Sequence, residues 1–83
     1  MTNQKASAIL TLYGFSLVEN SDRHYRRRLA PGQGVAVVAR YSHSKWTFKR
    51  RRHGLIKRNF DVHLRTATPE EFIDGILAVT AFS

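Results

Sequence analysis

Lys45-Trp46-Thr47-Phe48-Lys49-Arg50-Arg51 alternates aromatic with polar side chains over its first five positions, and that period of two sets the terms for the rest of the chain. Successive side chains of a strand point to opposite faces, so Trp46 and Phe48 face one way and Lys45, Thr47, Lys49 and Arg51 the other. A sheet built around this strand needs apolar cover on one face and meets water on the other.

Working outward toward the N-terminus, Ser42-His43-Ser44 reads as a turn. Before it, Gly34 to Tyr41 carries the β-branched Val35, Val37 and Val38 of a central strand, with Arg40 beginning its polar end. Ala30-Pro31-Gly32-Gln33-Gly34 interrupts the pattern. Arg23 to Leu29 alternates His24, Arg26 and Arg28 with Tyr25, Arg27 and Leu29, and Glu19-Asn20-Ser21-Asp22 joins it to a short strand over Phe15 to Val18. Gln4 to Tyr13 spaces Ala6, Ile9, Leu10 and Tyr13 as a helix, with Thr2 or Asn3 as N-cap and Gly14 as its stop.

Toward the C-terminus, alternation lapses at Arg50-Arg51-Arg52-His53-Gly54-Leu55-Ile56, which reads equally as a loop or a ragged strand. Phe60, Val62 and Leu64 then alternate with Asp61, His63 and Arg65. Thr68-Pro69-Glu70-Glu71 is a capping-box sequence with proline at the first helical position, and Phe72, Ile73, Ile76, Leu77 and Thr80 follow at helical spacing. The expectation is an α+β fold: an N-terminal helix, a four- or five-stranded antiparallel meander and a C-terminal helix, both helices on one face of the sheet.

Eighty-three residues, 42% of them hydrophobic, suit one domain spanning 1–83 and leave little depth for a buried active site. With no cysteine, neither disulfides nor thiolate metal sites supplement the core. No signal peptide is legible at Met1-Thr2-Asn3-Gln4-Lys5, and no stretch approaches the ~20 apolar residues of a membrane span, so the expected location is cytoplasmic.

The formal net charge is +8, and it is segregated: from Arg23 to Phe60 there is no acidic residue, while twelve of the fourteen lysines and arginines fall within that span. Such a distribution repels itself in the compact state, and a polyanion relieves the repulsion. Arg26, Arg28, Lys45 and Lys49 are expected to form a row across neighbouring strands, with Arg40 at a strand end. Arg50, Arg51 and Arg52, followed by Lys57 and Arg58, are expected to make a basic loop at the sheet's edge. These ten are the candidate nucleic-acid contacts, since arginine and lysine gain affinity at phosphates by direct contact and by counterion release. One such residue alone is ordinary solvated charge; an acid-free span of this length is not.

Tyr25, Tyr41, Trp46, Phe48 and Phe60 interleave with the charge and could stack on bases, although the alternation assigns Trp46 and Phe48 to the core. His24, His43, His53 and His63 show no metal-ligand spacing, and no cofactor motif occurs; His43 and His53 belong with the cationic surface. The alternative partner is an acidic protein, which the same patch attracts.

The run Leu12-Tyr13-Gly14-Phe15-Ser16-Leu17-Val18, followed by His24 ten positions after Gly14 and then Tyr25-Arg26, resembles the opening of HicA-type toxins. The resemblance covers about the first third of the chain. It implies a small ribonuclease with a fold like double-stranded-RNA-binding domains, helix, three strands and helix. It also implies His24 as catalytic residue on the sheet and an antitoxin partner. Asp22-Arg23 stands where that family carries a Gly-Ser pair.

Overall fold

In a computed structural model that describes residues 1–81, the chain runs α1 (Asn3–Leu12), β1 (Ser16–Leu17), β2 (His24–Arg28), β3 (Val35–Arg40), β4 (Lys45–Arg52), β5 (Leu55–His63) and α2 (Pro69–Thr80). The strands form one antiparallel sheet in sequence order, β1-β2-β3-β4-β5. Both helices cover the same face. The expected α+β meander is therefore present with five strands, the first of them only two residues long.

Local chemistry accounts for the helix ends. Thr2 caps α1 by accepting from the Lys5 amide, and Thr68 and Glu71 close a reciprocal capping box on α2 with Pro69 in its first turn. Each cap is worth about 1 kcal/mol. The core lies between helices and sheet: Ala6, Ile9 and Leu10 from α1, Ala36 and Val38 from β3, Trp46 and Phe48 from β4, and Phe72, Ile76 and Val79 from α2, with Phe15 and Leu64 at its margins. Phe48 stacks on Phe60 at 5.2 Å and meets Phe72 edge-on at 5.2 Å, while Trp46 meets Phe72 edge-on at 5.8 Å. The indole N–H of Trp46 donates to Asn3 Oδ1 at 2.9 Å, tying α1 to the sheet and satisfying a donor that burial would otherwise strand.

Residues 50–58, which read equally as a loop or a ragged strand, are strand: they form a β-hairpin in place of the basic loop expected at the sheet's edge, with His53-Gly54 as a two-residue turn in which both φ angles are positive, 53° and 77°. That is the backbone of a type I′ turn, whose twist matches its flanking strands. The sequence pattern lapses there for two reasons. The ladder shifts register between Arg50 and Arg51, with Arg50 opposite Arg58 and Arg51 opposite Ile56, so Lys57 is the extra residue of a bulge. In addition, Leu55–Asn59 are exposed, so no apolar face is imposed.

Gly34 enters β3 at φ +93°, and a Cβ placed there would come within 1.9 Å of the Arg51 carbonyl oxygen. Gly34→Ala is expected to lower stability by about 3 kcal/mol or more, read as a shifted urea midpoint, because both the backbone conformation and the strand approach oppose a side chain. An unchanged midpoint would contradict this packing.

Candidate nucleic-acid interface

The face of the sheet opposite the helices is where charge collects. Pairing register places Arg26, Val37, Lys49 and Asn59 in one cross-strand row, and Arg28, Val35, Arg51 and Ile56 in the next. Given ordinary strand spacings, the four cations mark the corners of a rectangle roughly 10 Å across the strands and roughly 7 Å along them, around Val35 and Val37. A third row holds His24, Ala39, Thr47 and Asp61. Small side chains in the middle and long ones outside make this face concave. The resulting depression, about 340 Å³, is bordered by Arg23, His24, Arg40, Tyr41, Lys49 and Arg51 over a floor of Val37, Ala39 and Thr47.

Asp61 is the one acidic residue on this face among the described residues, and it is already engaged. It accepts from Thr47 Oγ1 at 3.0 Å and pairs with Lys45 Nζ at 3.3 Å. Lys45 also lies 4.8 Å from the centre of the Tyr41 ring. The expected row of Arg26, Arg28, Lys45 and Lys49 is thus a patch in which Arg51 takes the place foreseen for Lys45, which stands opposite His63 at the far end of β4. The other ion pair among the described residues joins Arg23 to Asp22 at 3.8 Å. Arg26, Arg28, Lys49 and Arg51 therefore face solvent without a counter-charge, close enough to repel one another at physiological ionic strength.

Arg50 requires a correction. It was expected beside Arg51 and Arg52 on the basic surface, but it points to the helix side and is only 1% exposed. Its Nε donates to the Gln33 carbonyl at 3.2 Å, Nη2 to Gln33 Oε1 at 2.7 Å, and Nη1 to the carbonyl of Ala81 at the C-terminal end of α2. α2 has acidic residues in its first turn and no basic residue in its last, so the guanidinium supplies the cation that the negative end of the helix dipole favours. Arg50 is a structural residue.

The remaining candidates lie around the patch. Arg40, opposite Trp46 in register, borders the depression and continues round the end of the sheet beside Arg23, Ser42 and His43. Arg52, Lys57 and Arg58 stand at the β4–β5 hairpin. Arg23 and the engaged Asp61 were not singled out from the sequence. Arg23 opens the segment whose alternation made Arg26 and Arg28 conspicuous, without belonging to their face by that alternation, and Asp61 is recognisable only once β5 is in register.

Trp46 and Phe48 are buried in the core, and Phe60 and Tyr25 pack against it, which leaves Tyr41 as the aromatic ring on the open face. His24 lies at the depression's edge. Ser21 Oγ accepts from the backbone N–H groups of Arg23 and His24, each at 3.2 Å, and lies 2.9 Å from His24 Nδ1. The Ser21 hydroxyl thereby holds the imidazole ring in place at the edge of the depression. Among the described residues no three of His, Cys, Asp and Glu gather as a metal-binding group. Among the described residues no helix is long and apolar enough to cross a membrane. Comparison with protein-family models, curated proteins and solved structures yields no match.

Adjacent arginines in β4 are expected to separate by role. Arg50→Ala should cost about 3 kcal/mol in denaturant unfolding, since it strands the Gln33 amide and two carbonyls in a buried site. Arg51→Ala should change stability by less than about 0.5 kcal/mol, as an exposed substitution does. Equal effects would refute the assignment.

Proposed function

We propose that the protein is a non-enzymatic nucleic-acid-binding module of the cytoplasm that holds phosphates on the open face of its sheet. The observation that carries this reading is the uncompensated rectangle of Arg26, Arg28, Lys49 and Arg51, set on a concave surface while the acidic residues other than Asp61 lie elsewhere. Glu70, Glu71 and Asp74 are on α2, and Glu19 and Asp22 lie in the β1–β2 turn. A nucleic-acid backbone supplies closely spaced negative charge to such a surface and releases its own counterions on binding. His24 adds a polar side chain at the edge of the same depression. Phosphate contacts of this kind position the protein without reading sequence.

Binding should weaken steeply with salt. Each of Arg26→Ala, Arg28→Ala, Lys49→Ala and Arg51→Ala should flatten the log–log dependence of affinity on salt by about one unit, measured by fluorescence anisotropy. Lys5→Ala, on exposed helix α1, should leave the slope unchanged. Absence of binding at low salt, or binding indifferent to salt, would refute the proposal. Retention of one acidic protein from nuclease-treated lysate, without any nucleic-acid binding, would favour protein docking in its place.

A second reading is the ribonuclease implied by the HicA resemblance, favoured by the position of His24 beside Arg23 on the border of the depression. The five-stranded sheet differs from the three strands that the resemblance implies. RNA cleaved by the wild type and left intact by His24→Ala would establish this reading; RNA left intact by both would remove it.

A further inference from the structure

The β4–β5 hairpin has a feature that phosphate binding on the sheet does not use. Arg51 is the last β4 residue paired to β3, opposite Val35; beyond it the sheet narrows to β4 and β5 alone. Its tip consists of the pairs Arg51–Ile56 and Arg52–Leu55, closed by His53-Gly54. Each pair sets an arginine beside an aliphatic side chain, and the two pairs point to opposite faces of the ribbon. Leu55 is 61% exposed and Ile56 50% exposed, so both faces of the tip present an apolar side chain to solvent. Lys57, the bulged residue, and Arg58 add charge just behind.

We propose that this tip enters the major groove of duplex DNA, an inference that rests on the nucleic-acid reading above and names its substrate class. Three observations favour it. First, a ribbon that is cationic and apolar on both faces suits a slot, with walls on two sides, better than a flat surface, which would meet one face only. Second, the dimensions are compatible: one residue pair beyond Arg51 and a tight turn reach roughly 7 Å past the three-stranded part of the sheet at ordinary strand rise, and the B-DNA major groove, about 8.5 Å deep, admits a two-stranded ribbon. Third, the open face offers Tyr41 as its aromatic ring, with Lys45 already over it, whereas single strands are held by successive bases stacked on aromatic platforms. The deep, narrow major groove of an RNA duplex excludes such a ribbon. In the groove, Leu55 and Ile56 would meet apolar base edges such as thymine methyl groups, and Arg51 and Arg52 the phosphates or guanine edges.

The test compares one sequence as duplex DNA, single-stranded DNA and duplex RNA by anisotropy at low salt, using the full chain. Duplex DNA is expected to bind about tenfold or more tighter than the other two. Leu55→Ser and Ile56→Ser, which preserve charge at an exposed tip, should reduce this preference while leaving single-strand affinity unchanged. Guanine N7 atoms should be protected from dimethyl sulfate by the wild type and exposed by the double variant. Equal affinity for all three nucleic acids, or an unchanged methylation pattern, would overturn the groove assignment and leave phosphate binding intact. Absence of binding to every nucleic acid would overturn the underlying reading as well. Binding to anionic phospholipid vesicles that is lost with Leu55→Ser and Ile56→Ser, without duplex preference, would reassign the tip to a membrane surface.

Discussion

Phe48 sits where the sheet and α2 meet, and the layered arrangement depends on how closely they approach there. Its ring is stacked on Phe60, met edge-on by Phe72, and lies under Gly75 of α2. A Cβ at Gly75 would come within 3.1 Å of the Phe48 ring, so the missing side chain lets the helix settle directly on β4. Glycine in mid-helix costs about 1 kcal/mol relative to alanine, and close packing of three aromatic rings in a domain this small offsets it. Once α2 is fixed over Trp46 and Phe48, the alternation of β4 commits Lys45, Thr47, Lys49 and Arg51 to the other face.

The same placement explains the unequal arginines. α2 ends above Arg50, and its terminal carbonyl, together with Gln33 from the β2–β3 connection, completes a polar socket for a buried guanidinium. Arg50 thereby joins three segments distant in sequence. Its neighbour Arg51, one residue on, points to solvent and belongs to the cationic rectangle. A polar anchor on one side of a strand and a cationic surface on the other is economical for a chain with few residues to spare. It also means that alternate positions on β4 belong to the core and to the cationic face.

The open face combines strong positive charge with a shallow, small-residue floor. Its long cationic side chains reach outward around that floor. The hairpin beyond Arg51 extends that surface in a different way, exchanging a broad face for a narrow edge with apolar side chains on both sides. The bulge at Lys57 links the two, since it ends the strict alternation and increases local twist.

Much of the fold was legible because its signals are local. Thr68-Pro69-Glu70-Glu71 announces a helix start through hydrogen bonds within one turn, and Trp46-Thr47-Phe48 announces a half-buried strand through the geometry of consecutive residues. The acid-free span between Arg23 and Phe60 likewise identified a cationic surface before any contact was known. Which arginine serves that surface was decided by tertiary structure. Arg50 and Arg51 are the same residue type in adjacent positions, and only the arrival of α2 and Gln33 on one side separates a socket from a solvent-facing charge. The hairpin after Arg50 was equally illegible, because a bulge resets the alternation and solvent on both faces removes the pattern that burial would have written into it.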